Sequence, residues 1–515
     1  MANWGILGKL EVYQLWENRM TDLSKETEGK NDKPADILPP ADVIVQTQHQ
    51  VTIGGKTLNY TATTGRIILK SEDEKEGEKP KAAIFFVAYT LDAPEGQSAA
   101  DFANSRPITF AFNGGPGSSS VWLHLGVLGP RRVVLEENGR ALPPPYRLVD
   151  NEFSLLDQTD LVFIDPVTTG FSRAVPGEKD KQFHGFKADI ESVGDFIRLY
   201  VSRYHRWGSP RYLIGESYGT TRAAGLSGYL QERHGLYLNG ILLISVVLNF
   251  LTLEFDPGND LPFILFLPTY AATAWYHKQL AEDLQGNLTQ LLTEVEAFAM
   301  GEYAAALLQG DALSGERRQE IAAKLARYTG LSSGYIESTN LRINIHRFVK
   351  ELLRRQRRTV GRLDSRYLGI DRDAAGEGHE YDPSYAIIQG AYSGTFNDYI
   401  RRELGFDSDL PYEILSERVH PWSFEQHQNS YVNVGETLRK ALSMNPHLRV
   451  FVANGYYDLA TPYLATRYTF NHLELDESLR DNVQMKHYEA GHMMYIHDPS
   501  LAQLKRDLDN FLSGA

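Results

Sequence analysis

The run Tyr212-Leu213-Ile214-Gly215-Glu216-Ser217-Tyr218-Gly219 closes a short apolar stretch on a G-x-S-x-G turn, and a helix-forming segment follows at once. A serine hydroxyl becomes a useful nucleophile only when it is held clear of the chain and given a base. A sharp strand-to-helix turn exposes the Oγ, and the flanking glycines let the backbone turn without Cβ clashes. The base and its orienting carboxylate must come from elsewhere, and two later strand ends offer them. Leu448–Ala453 runs into Asn454-Gly455-Tyr456-Tyr457-Asp458, and Val483–Tyr488 runs into Glu489-Ala490-Gly491-His492. The order serine, acid, histidine predicts a relay of Ser217, Asp458 and His492.

Taken singly, each residue has an ordinary explanation. The serine is a turn residue, Asp458 caps a helix starting near Pro462, and His492 has rivals in His124 and His497. Jointly, in the right order and at matching strand ends, the relay is the stronger reading. Acyl transfer also needs hydrogen-bond donors for a developing oxyanion. Phe112-Asn113-Gly114-Gly115-Pro116-Gly117 follows the strand Ile108–Phe112, so the N–H groups of Gly115 and Tyr218 are the expected pair. The plain alternative is a glycine-rich spacer.

These strand ends belong to a β/α alternation. Strands are predicted at Ile108–Phe112, Leu161–Ile164, Tyr212–Ile214, Ile241–Ser245, Val450–Ala453 and Val483–Tyr488. Helical stretches such as Ala188–Arg203 and Thr221–Arg233 separate most of them. Near-continuous apolar strands joined by helices predict a mostly parallel sheet, buried on both faces. Ahead of it, Val43 to Lys70 reads as a hairpin turning at Gly54-Gly55, and Ala82 to Leu91 as a further strand. Gly54-Gly55-Lys56-Thr57 lacks the first glycine of a phosphate-binding loop and is read as that turn. Between 253 and 410 the period becomes helical: Lys278–Leu308, Arg317–Tyr328 and Leu341–Arg357 predict a helical cap insertion over the site. The organisation expected is an N-terminal extension at 1–42, a core at 43–252 and 411–515, and the cap at 253–410.

Composition narrows the chemistry. The chain has 515 residues, a net charge of −14 and no cysteine. Disulfides, cysteine metal sites and a cysteine nucleophile are excluded. An acidic surface disfavours nucleic acid. No H-E-x-x-H is present, and no cofactor or metal is expected. No apolar run reaches the roughly 18 residues of a membrane span. The segment Met1–Glu11 does not read as a signal peptide, so a cytoplasmic location is expected and the sequons at Asn59 and Asn287 read as chance matches.

With these residues assembled, the chain resembles the serine carboxypeptidase family, as a cysteine-free, bacterial-type member. The resemblance rests on Asn113-Gly114-Gly115-Pro116-Gly117 with Ser119-Ser120, Leu128-Gly129-Pro130, Gly170-Phe171-Ser172, Gly215-Glu216-Ser217-Tyr218-Gly219, Asn454-Gly455-Tyr456-Tyr457-Asp458 and Gly491-His492-Met493. It implies an α/β-hydrolase core and removal of single residues from peptide C-termini. It implies the triad Ser217, Asp458 and His492, with Gly115 and Tyr218 as oxyanion donors. Asn113 and Glu216 are implied as binders of the substrate's terminal carboxylate. A carboxyl binds a carboxylate only while one of them holds a proton, so burial should raise the pKa of Glu216.

The chain departs from the family pattern at Ser118, where a cysteine is usual, and at Val127, where an acid normally partners the glutamate. One acid fewer predicts activity reaching closer to neutral pH. It also motivates Arg131 or Arg132 as a source of positive charge for the carboxylate. The rival readings are an esterase or acyltransferase of the same fold and a non-catalytic binding protein. A homodimer is compatible with the chain.

Overall fold

The computed structural model describes residues 40–75 and 77–514. Nearly all of the expected extension at 1–42 therefore lies outside the described residues. The chain from Ala41 onward clusters as one unit.

The scaffold is a sheet of ten strands among the described residues. Its main strands are β1 (Val43–Ile53), β2 (Lys56–Asp73), β3 (Gly77–Leu91), β4 (Ile108–Phe112), β5 (Asp160–Ile164), β6 (Arg211–Ser217), β7 (Gly240–Val246), β8 (Arg449–Gly455) and β9 (Val483–Tyr488). They run in the order β1-β2-β3-β5-β4-β6-β7-β8-β9, with Arg173–Ala174 added against β3. The pairs from β1 to β5 are antiparallel, and those from β5 to β9 are parallel. Gly54-Gly55 forms the β1–β2 turn, with both residues at positive φ.

Strand alternation builds two cores from one sheet. Ala111, Phe163, Ile214, Leu242 and Phe451 face one apolar cluster. Phe110, Val162, Leu213, Ile241 and Val450, each shifted by one position, face the other. Helices α1 (Phe186–Arg203), α2 (Tyr218–His234) and, later in the chain, Gly435–Met444 cover the second face. Asp498–Ser513 covers the first. Burial on both sides explains why the central strands are continuous apolar runs. A mixed sheet whose parallel part is covered this way, with a serine at the strand-to-helix turn after β6, is the α/β-hydrolase fold.

The helical stretch differs in detail from the sequence expectation. Its longest apolar helix, α3 (Leu261–Tyr276), was not read from sequence, because it is apolar on all sides and carries Pro268 inside. A helix buried on every side shows no amphipathic period. The expected helix Lys278–Leu308 is broken into Leu288–Phe298, a π turn at Ala299–Tyr303 and Ala304–Gln309. Arg317–Tyr328 lies within Gly315–Thr329, whereas Leu341–Arg357 shrinks to Ile345–Glu351 and a short turn. These elements share their own apolar cluster around Phe266, Tyr270, Val295, Ile321 and Phe348. Pro383–Arg402, also inside the expected cap, packs instead with the sheet: Ile388, Tyr392, Phe396 and Tyr399 join the first cluster.

Candidate active site

Register sets the site. Phe112 pairs with Gly215, Ile244 with Glu216 and with Ala453, and Gly455 with Tyr488. Asn113, Ser217, Asp458 and His492 therefore all fall at or just past the carboxyl ends of neighbouring strands. In an open parallel sheet, that edge is where ligands bind.

Ser217 holds φ 59° and ψ −129°, a conformation costly for any residue with a Cβ. The turn survives because its neighbours are glycines in close contact. A Cβ on Gly215 would collide with the carbonyl of Gly219, and one on Gly114 would meet the amide nitrogen of Tyr218 and, at 2.7 Å, the carbonyl of Glu216. The glycine-rich loop after β4 thus lies directly on the serine turn.

His492 is buried, and its Nδ1 donates to Asp458 Oδ2 at 2.7 Å. That bond leaves Nε2 as the acceptor nitrogen. Burial alone would lower the pKa of His492, but the charge of Asp458 and their hydrogen bond outweigh it and hold the imidazole above its ordinary value. Asp458 has no exposed surface. Its Oδ1 accepts from the amides of Ala460 and Thr461 at 2.7 and 3.0 Å, and Oδ2 also accepts from Thr461 Oγ1 at 2.6 Å. It does not cap the following helix, which starts after Pro462 with no side-chain cap.

The rival histidines lie elsewhere. His124 is a core residue, bonded to Tyr89 Oη at 2.6 Å and stacked on Phe163, and burial depresses it to about 3. His497 bonds Ser500 Oγ at 2.8 Å beside the last helix.

Asn113 and Glu216 meet as a pair. Asn113 Nδ2 donates to Glu216 Oε1 at 2.9 Å, and Tyr495 Oη donates to Oε2 at 2.5 Å. Burial raises Glu216 to about 7, against the nearby imidazole and these donors, which pull it down. Asn113 is itself locked: Oδ1 accepts from Leu123 N at 3.0 Å, and its carbonyl accepts from Arg222 at 2.6 Å. Arg222 is buried against Asp189 at 2.8 Å.

Sequence reasoning missed Tyr495 and Arg222. The available signal for Tyr495 was Gly126, beside Val127: a Cβ there would strike the Tyr495 ring, so the missing side chain makes room for the phenol.

A cavity of about 370 Å³ is lined by Asn113, Gly115, Glu216, Ser217, His492 and Met493, with Trp122, Tyr385 and Ile388 as apolar wall. A second, of about 600 Å³, is lined by Gly115, Ser217 and Tyr218 on the core side, and by Phe250, Phe266, Ile345 and His346 on the other. Ser217 lies where the two meet.

Arg131 and Arg132 do not supply charge here. Arg131 is held by both carboxylate oxygens of Glu403, at 2.8 and 2.9 Å. Arg132 lies 3.6 Å from Asp498 and over the Phe153 ring. Both sit in a short strand pair with 148–150, and neither lines either cavity.

Sheet order, serine turn and buried Asp–His pair together define a serine hydrolase architecture. A sequence model described as serine carboxypeptidase matches residues 77–498, and the chain belongs to that family. It is similar to serine carboxypeptidase-like 36 of Arabidopsis thaliana, with 32% identity over 28% of this chain and 29% of that one. It is also similar to the pheromone-processing carboxypeptidase KEX1 of Saccharomyces cerevisiae, with 33% identity over 28% of this chain and 18% of that one. The match thus spans under a third of the length of either relative. Among solved structures, proline iminopeptidase of Mycobacterium smegmatis aligns at TM-score 0.35 and 12% identity, covering 91% of this chain and 98% of that one. No helix among the described residues is long and apolar enough to cross a membrane.

Proposed function

We propose that the chain is a serine carboxypeptidase that releases single residues from peptide C-termini through an acyl-enzyme. Ser217 Oγ attacks the scissile carbonyl while His492 Nε2 takes its proton. The C–N bond breaks as the imidazolium returns that proton to the leaving amine. Water, deprotonated by the same nitrogen, then hydrolyses the ester. Asp458 holds the tautomer and stabilises the imidazolium. The N–H groups of Gly115 and Tyr218 receive the oxyanion.

The observation that carries the exopeptidase reading is one shared cavity. Ser217 and His492 line it together with Asn113 and a glutamic acid that keeps its proton up to about pH 7. A neutral carboxyl beside an amide suits the terminal carboxylate of a peptide, not a neutral ester. With Val127 where the family's second acid would stand, one carboxylate fewer faces the substrate as pH rises, which favours activity reaching toward neutral pH.

The test is mass spectrometry of a peptide mixture before and after incubation, beside the same peptides as C-terminal amides. Stepwise loss of C-terminal residues from the free acids, with the amides spared, is expected. Equal cleavage of acids and amides, or internal cuts, would sink the reading. A fluorophosphonate should label Ser217, and Ser217→Ala should abolish the label.

A further inference from the structure

The segment Arg362–Arg366 is tied to both loops of the relay. Arg362 O accepts from Leu459 N at 3.0 Å, next to Asp458, and Leu363 O accepts from His492 N at 2.7 Å. Ser365 N donates to Tyr457 O at 3.0 Å, and Asp364 Oδ2 accepts from Gly491 N at 3.0 Å. Arg366, paired with Asp364 at 2.7 Å, donates to Glu489 O at 2.9 Å. The backbone of Arg362 is further fixed by its N–H on Asp382 Oδ1 at 3.1 Å. Its Cα is therefore held between the Asp458 and His492 loops.

Arg362 lines both cavities, as Ser217 does. It is half-buried, and its guanidinium makes no hydrogen bond or ion pair with any described residue. Asp382 and Asp256, which line the same cavities, are otherwise engaged. Asp382 accepts from Ser384 and two backbone amides, and Asp256 accepts from Tyr431 Oη at 2.6 Å. Glu254 feels the Arg362 charge without touching it, as do His346 and His492. A half-desolvated guanidinium with five free donors fits an incoming carboxylate.

We propose that Arg362 binds a substrate carboxylate beside the scissile bond, in the role that Arg131 and Arg132 do not fill. The carboxylate is either the terminal one or the side chain of an acidic residue flanking the cleaved bond. The assignment rests on the carboxypeptidase reading for its substrate, and its binding test does not require turnover.

The test is calorimetric titration of the Ser217→Ala protein with a peptide acid, its C-terminal amide, and that amide carrying Glu at the last or penultimate position. Adding Arg362→Gln should weaken the peptide acid roughly 10- to 100-fold and leave the plain amide unchanged. The plain amide thereby reports an intact fold. Arg362→Lys keeps the charge without the fork and should lose less; it carries the test if the Gln variant does not fold. A loss confined to the Glu-bearing amides assigns the acidic side chain as the source. Equal weakening of every peptide, or none, overturns the proposal. Wild-type enzyme that leaves peptide acids whole, while the Ser217→Ala protein binds them through Arg362, would sink the carboxypeptidase reading alone.

Discussion

Asp458 and Glu216 are both buried carboxyls within one site, and their surroundings are opposite. Asp458 meets four donors, two of them backbone amides, an arrangement that suits a carboxylate anion. Glu216 meets one amide and one phenol, and burial lifts it to about 7. On the proposed reading, the first acid orients the imidazole through its hydrogen bonds, and the second holds a proton for the substrate. Donor count, more than depth of burial, divides their work.

The contrast can be broken most severely at Asp458. Asp458→Asn keeps the shape but leaves His492 in the wrong tautomer, so kcat should fall by about 10⁴. A loss below tenfold in steady-state assays would mean the imidazole works without its carboxylate.

Glu216→Gln tests the other half. In the wild type, kcat/KM for a peptide acid should fall as pH rises through about 7, because the ionised carboxylate repels the substrate. The fall should approach about tenfold per pH unit above that value. Glu216→Gln should lack this limb, while the acid limb set by His492 stays. An unchanged alkaline limb in the variant would assign the titration to another group.

Stability should carry the same signature. The folded pKa of Glu216, about 7, lies above the ordinary 4.5, so stability is full below about 4.5 and is lost as pH rises through 7. The ionised, buried form costs on the order of 3 kcal/mol. Urea unfolding at pH 5 and pH 8 should therefore show Glu216→Gln gaining on the wild type at the higher pH. A parallel pH dependence of the two proteins would contradict this.

Tyr495→Phe makes a smaller change. It removes a donor that favours the ionised form, so the alkaline limb should move upward, with a few-fold change in KM at most. A downward shift would mean the phenol serves the neutral acid instead. Smallest of all, Arg131→Ala and Arg132→Ala should leave KM for peptides unchanged and cost no more than about 1 kcal/mol of stability. A raised KM would return them to the site.

The strand ends that gather the site were legible in the sequence because each apolar run stops abruptly at a turn. Val483–Tyr488 appears with the limits read from its pattern. Residues that act through space were not legible. Residues 362–366 lie far in sequence from the motifs, and only the folded chain shows that they bind two loops nearly a hundred positions or more away. The pair Arg131-Arg132 looks available from sequence because its partners, Glu403 and Asp498, are remote in the chain. Helix α3 escaped because uniform burial erases the helical period and Pro268 imitates a break.

The bracing by residues 362–366 has a bearing on engineering. Grafting the helical layer from a relative, or trimming it to widen the entrance, exchanges more than a lid. It removes the crosspiece that keeps acid and base in register, so a hybrid that melts normally could still be slow unless those five positions travel with the catalytic framework.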